Sequence, residues 1–162
     1  MSEIIFIDLE ASGLSQTSWP IEVGWCKLTG SPTSYLIAPD PDWPLEVWDP
    51  AAENLHGISQ DHLLKDGRPA AEVCRALNKE LGGQIVLSDA PDWDAFWLYR
   101  LFAAGGEKQR FSLADFAEQF PGLPESDYRK ASNLASVKTP HIHRAEADVL
   151  HMRAVYQAIK SG

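Results

Sequence analysis

The stretch IIFIDLEASG, residues 4–13, sets the strictest condition on the fold. Four bulky apolar residues lead straight into Asp8 and Glu10. A run that is apolar on both faces belongs in the middle of a sheet covered on both sides. Side chains in a strand alternate with a period of two, so Asp8 and Glu10 face the same way at the strand's C-terminal end. Two carboxylates aimed together repel, and partial burial raises the pKa of at least one. A divalent cation removes that cost, and an oxygen-only ligand set suits Mg²⁺ or Mn²⁺.

The rest of the chain supplies the layers that such a strand needs. IEVGWCKL (21–28) and SYLIAP (34–39) read as two further strands after turn-forming Gly and Pro, and a three-stranded antiparallel meander is the simplest pairing. A Trp-, Pro- and Asp-rich loop, DPDWPLEVWDP, follows, and GISQDHLLKDG reads as a short helix. In RPAAEVCRALNKELGG, Val73, Leu77 and Leu81 recur at helical spacing before Gly82. QIVLSDAP (84–91) is a fourth strand. DWDAFWLYRLFAAGG, SLADFAEQF, ESDYRKASNLASV and the final HRAEADVLHMRAVYQAIKSG all read as helical. Strands first, then strand and helix in alternation, imply an α/β mixed sheet flanked by helices. With 162 residues and no linker-like segment, one domain over residues 1–162 is expected.

Composition narrows the partners. The formal net charge is −9, which argues against a long, salt-driven grip on duplex backbone. Cys26 and Cys74 lie among apolar residues and read as buried free thiols, in keeping with a reducing, cytoplasmic setting. The N-terminus lacks a basic region and a long apolar run, and no segment approaches the roughly 20 apolar residues of a membrane span.

Two more acids repeat the arrangement of the first pair. In SDAPDWDAFW the candidates are Asp89, Asp92 and Asp94. Pro91 suits a helix start, which makes Asp92 an N-cap candidate. Counted from Asp94, the positions three, four, seven and eight residues on are Trp97, Leu98, Leu101 and Phe102, so Asp94 opens the apolar stripe and faces inward. A helix N-terminus contributes only about 0.3–1 kcal/mol toward an exposed anion, too little for a buried one. In HRAEAD, Asp148 leads a second stripe through Met152, Val155 and Ile159. His143 precedes it by five residues, which on a continuous helix would part the two side chains by about 140°. His143 therefore belongs to the loop before that helix, or to its first residue. A neutral imidazole beside a cation site makes a general base, with His141 a competitor for the role. The pair in HIH has no Cys partner at zinc-site spacing and does not read as a zinc site.

In this order, the motifs resemble the DEDDh branch of the DnaQ-like 3′–5′ exonuclease superfamily, built on a ribonuclease-H-like fold. FIDLEASGL matches the first motif with Asp8 and Glu10. IEVGW is similar to the second-strand pattern IEIGA. NLHGIS resembles the HGI segment, Trp93–Asp94 the aromatic–Asp pair of the second motif, and HRAEAD the third motif His-x-Ala-x-x-Asp. SDAP replaces the family's usual HNA. The matches run from Ile4 to about Tyr156.

The resemblance implies a ribonuclease-H-like sheet, a three-stranded antiparallel meander plus parallel strands, flanked by helices. It implies two divalent cations, Mg²⁺ or Mn²⁺, on Asp8, Glu10, Asp94 and Asp148, with His143 taking a proton from water. The substrate would be a nucleic acid presenting a single-stranded or short 3′ end, released as nucleoside 5′-monophosphates. Ser12, Gly13 and Leu14 would approach the terminal nucleotide, with Leu14 against its base and His56 near its sugar or phosphate. Trp19, Trp43 and Trp48 fall in predicted loops, where stacking on bases competes with packing, whereas Trp25, Trp93 and Trp97 belong to the core. The alternatives are a non-catalytic nuclease-fold binding module and an oligoribonuclease-like enzyme for very short RNA.

Overall fold

The computed structural model describes residues 3–162. The strand that ends in the two acids is β1, Ile5–Ala11, and it lies at the centre of a five-stranded sheet of order β3-β2-β1-β4-β5. β2 (Pro20–Lys27) runs antiparallel to β1, and β3 (Thr33–Leu36) antiparallel to β2. β4 (Ile85–Ser88) and β5 (Ser112–Asp115) extend the sheet in parallel from β1. The expected meander with added parallel strands is what the chain forms.

Both faces of the sheet are covered, which is why β1 is apolar on both. Ile5, Ile7 and Leu9 point into one core with Trp19, Ile21, Val23 and Trp25. The helices on that face are α3 (Ala70–Leu81) and α4 (Pro91–Gly105), reached through α1 (Pro50–His56) and α2 (Gln60–Asp66). On the other face Phe6 meets Cys26, Leu87 and the apolar sides of α5 (Glu125–Ser136) and α6 (Ala145–Ser161). Among the described residues no helix is long and apolar enough to cross a membrane.

Four expectations change. SLADFAEQF is not a helix: Ser112–Asp115 pairs with β4 as an edge strand, and Phe116–Gln119 makes one 3₁₀ turn capped by the Asp115 carboxylate on Ala117 N. α1 begins at the last residue of the expected loop and fills residues 51–56, to which no element was assigned, with Asp49 accepting from Ala51 N, Pro50 in its first turn and Gly57 closing it at φ 71°. Asp92 caps nothing, since α4 starts from Ala90 with Pro91 in the first turn. The loop tryptophans are packed, not offered to a ligand. Trp19 is wholly buried, stacks on Trp43 at 5.7 Å and tilts against Trp48 at 5.6 Å, and the Trp48 indole donates to Glu53. Burying such rings outweighs leaving them in water.

The register of β1 and β2 positions α6. Asp8 faces Gly24 and Glu10 faces Glu22 across the pair, so these four residues share the α6 side. A Cβ on Gly24 would lie 2.9 Å from the Ala145 carbonyl carbon, so the missing side chain is what lets the start of α6 touch the sheet. Gly24→Ala is therefore expected to lower unfolding free energy in urea titrations by about 1–3 kcal/mol, the usual cost of overpacking.

Candidate active site

β1 and β4 end together on one edge of the sheet, and α4 and α6 begin there. Crevices beyond the carboxyl ends of parallel strands are the usual ligand sites of such sheets. Here the crevice is a cleft of about 470 Å³ whose lining includes Asp8, Glu10, Asp89, Asp94 and Asp148.

The acids form two groups that share one member. Oxygens of Asp8, Glu10 and Asp148 all lie within 4.8 Å of one another, as do those of Asp8, Asp89 and Asp94. Each is held by local structure. Asp94, in the first turn of α4 and 1% exposed, accepts a 2.6 Å hydrogen bond from the Ser88 hydroxyl, which also accepts from Ala90 N. Asp94 rather than Asp92 turns inward; Asp92 is exposed, while Asp89 joins the cluster from the end of β4. Asp148, in the first turn of α6, accepts from Ile142 N and His143 N through Oδ1.

Burial and then mutual repulsion leave Asp8, Glu10, Asp89 and Asp94 reluctant to ionise. Asp8 is pushed well above the ordinary carboxylate range by burial, then by Asp94 and Glu10. Burial and then Asp148 push Glu10 up to about 8, and burial raises Asp94 to about 8 against the opposing Ser88 hydrogen bond. Asp89 is raised too, first by burial of its carboxyl, although the residue keeps an exposed flank. Asp8 Oδ2 and Asp148 Oδ2 are buried without a hydrogen-bond partner. Buried acceptors are rarely left so. Orphaned oxygens within an all-oxygen set fit hard divalent cations.

Both candidate histidines reach Asp148. His143 sits in the loop before α6 at φ 60°, a left-handed conformation uncommon outside glycine. His141 Nε2 lies 3.2 Å from Asp148 Oδ2, without the alignment of a hydrogen bond. The cleft thus brings two imidazoles to one carboxylate.

The four residues expected at the substrate separate. Leu14 is 71% exposed on the cleft lining, which also includes a second exposed leucine, Leu55 of α1. His56 lines the cleft but is buried, with Nδ1 accepting from Ile58 N and Nε2 buried without a hydrogen-bond partner. Because Nδ1 accepts, the ring proton sits on Nε2, and burial lowers the pKa of the ring. Ser12 is instead consumed by the fold: its hydroxyl accepts from Trp19 N and its carbonyl from Asp49 N. Gly13 makes room for Asp49, whose Cβ would stand 3.0 Å from an added methyl. Trp93, expected in the core, is half-buried on the cleft wall, stacked on Trp97 at 5.3 Å.

Glu22 and Arg144 were not singled out by sequence reasoning. Glu22, 3% exposed, accepts from Arg144 Nε at 3.1 Å, Arg144 Nη2 at 2.8 Å and Ala145 N at 2.8 Å. It replaces the side-chain cap that α6 lacks. The available signal was a glutamate inside an otherwise apolar strand.

No protein-family model matches the chain, and no curated protein matches its sequence. Solved structures do match. Exonuclease I of E. coli in complex with a dT13 oligonucleotide superposes with a TM-score of 0.76 at 16% identity, over 99% of this chain and 41% of that one. Exonuclease I from Methylocaldum szegediense gives 0.75 at 16% identity, over 99% and 41%. A further exonuclease I structure, one that suggests how processivity is achieved, gives 0.78 at 16%, again over 99% and 41%. The chain spans about two fifths of the length of these structures.

The raised acids give a pH test of the cluster. Glu10 and Asp94 bind protons in the native state up to about pH 8 but release them near 4.5 and 3.8 when unfolded. Wherever the native state holds more protons, stability falls as pH rises. The melting temperature of chelator-treated protein is expected to fall between about pH 5 and 8, less steeply in Asp94→Asn. Added Mg²⁺ should raise it more at the upper end of that range. Likeness to these structures establishes a ribonuclease-H-like mixed sheet of the exonuclease I type as this chain's fold.

Proposed function

We propose that the chain is a metal-dependent 3′–5′ exonuclease of the DEDDh type, hydrolysing phosphodiester bonds at single-stranded or short 3′ ends and releasing nucleoside 5′-monophosphates. One observation carries this reading: two carboxylate groups share Asp8 at the sheet's edge, and buried oxygens in them lack protein partners. Two divalent cations, Mg²⁺ or Mn²⁺, would supply charge neutralisation at the phosphate and a water acidic enough to give up a proton to a neighbouring base. Asp8 would hold both, Glu10 and Asp148 one, and Asp94 with Asp89 the other. The nucleic-acid substrate is supported by the single-stranded oligonucleotides bound to exonuclease I.

The chain's own residues do the rest. A ring nitrogen of His143 accepts the water's proton. Asp148 Oδ1, by holding the amides of Ile142 and His143, fixes the loop that carries this ring. Leu14, Leu55 and Trp93 offer apolar faces to the terminal base and sugar. His56, whose Nε2 has no protein partner, would donate from that atom to a sugar hydroxyl or a phosphate oxygen.

A specific observation favours the oligoribonuclease-like variant with very short substrates: none of the cleft's lining residues is Lys or Arg. Phosphates beyond the scissile one find no cationic side chain there. Cleavage rates of dinucleotides against longer DNA and RNA distinguish the two.

A 5′-labelled single-stranded oligonucleotide with Mg²⁺ is expected to shorten stepwise from its 3′ end. Without such shortening, the non-catalytic binding module is left. Asp8→Asn should abolish cutting, because a neutral amide does not hold two cations. His143→Ala should slow it by about 10²–10⁴-fold while calorimetry shows Mg²⁺ binding retained.

A further inference from the structure

The proposed reaction uses one imidazole, yet the chain brings two to Asp148 and sets a third behind them. The His141 and His143 rings lie 4.6 Å apart, centroid to centroid, and His151 lies 5.8 Å from His141. We infer that His141, His143 and Asp148 form a Zn²⁺ site, and that zinc held there stops hydrolysis. The inhibitory half rests on the function proposed above; the binding half does not.

Three observations carry the site. Ligand atoms of His141, His143 and Asp148 all lie within 4.8 Å of one another. In four-coordinate zinc, with bonds of about 2.0–2.1 Å, neighbouring ligand atoms stand about 3.3 Å apart. The His141–Asp148 edge already has that length, at 3.2 Å. Second, Asp148 divides its oxygens: Oδ1 is taken by the amides of Ile142 and His143, while Oδ2, in a residue 2% exposed, is unpartnered and faces His141. Third, the loop is fastened from behind. His151 Nδ1 lies 2.7 Å from the Thr139 carbonyl, two residues before His141.

The donors select the ion. Imidazole nitrogens favour borderline Zn²⁺, whereas the all-oxygen corner around Asp8 suits Mg²⁺, so zinc here competes for Asp148 with the Mg²⁺ proposed above. Two histidines and one carboxylate leave a fourth position for water, the pattern of an open zinc site. A ring nitrogen whose lone pair is given to zinc accepts no proton from water. Both imidazoles able to serve as base are then engaged together.

His62 provides an internal control. It pairs with Asp66 at 3.2 Å on the exposed side of α2, and among the described residues no third ligand is grouped with it. Mg²⁺-saturated protein dialysed against Zn²⁺ is expected to retain one zinc per chain, and Co²⁺ in its place should show the intense visible band of a four-coordinate ion. His141→Ala, a change at a half-exposed loop residue, should weaken zinc retention at least about 10-fold, the loss that even an outer partner of a metal ligand causes. It should also remove the cobalt band, whereas His62→Ala should change neither. Equal zinc retention by wild type and His141→Ala would falsify the site, as would displacement of zinc by Mg²⁺. A wild-type chain that cuts at an unchanged rate with zinc bound overturns the inhibitory half. A chain that binds zinc through His141 but cuts no oligonucleotide sinks the nuclease reading and leaves the metal site standing.

Discussion

Repulsion among the carboxylates crowded around Asp8 is the constraint on which the rest of the structure turns. Taking an ion out of water costs several kcal/mol even after the protein relaxes. A domain's whole stability is only about 5–15 kcal/mol. An uncompensated cluster would therefore consume much of what holds the fold together. Protons offset it in part, as the raised carboxyls of Asp8, Glu10 and Asp94 indicate. Meanwhile the surroundings block each acid's retreat. β1 is pinned between two cores, Ser88 holds Asp94, and two loop amides hold Asp148. The cations proposed for this cluster would relieve a charge that the surroundings hold in place.

The link between scaffold and site runs through β2. Glu22 ties down both the Arg144 guanidinium and the first amide of α6, and Gly24 clears the space into which that helix settles. Asp148 and the histidine loop depend on where α6 begins. One strand neighbouring β1, with no residue among the clustered acids, thus sets the distance between the two ends of the first acid group.

What was legible in the sequence is what local periodicity controls. The shared face of Asp8 and Glu10 followed from strand alternation, and the inward turn of Asp94 and Asp148 from the apolar stripes they lead. Features made by distant pairing were not legible. The bond between Glu22 and Arg144 joins residues 122 apart, and β5 is four residues whose strand character comes from β4 beside it. α1 was readable and was missed: Asp49, Pro50 and Gly57 are ordinary helix start and stop signals, hidden in a stretch dominated by tryptophan and proline. Those tryptophans misled because a loop in sequence is not always exposed in space; Trp19 and Trp43 stack to roof the first core. Periodicity says nothing about loops, so it could not tell that the turn at His143 would bring His141 to Asp148 as well.

The pairing of Asp8 with Gly24 and Glu10 with Glu22 also bears on how errors would show themselves. A slip of one residue between β1 and β2 would turn Ile7 and Leu9 toward α6 and drive Asp8 into the opposite apolar layer. Core and acid cluster would fail in the same event. A misaligned hairpin therefore has no well-packed but defective form in which to persist, and any chain that completes its core has already assembled its acids.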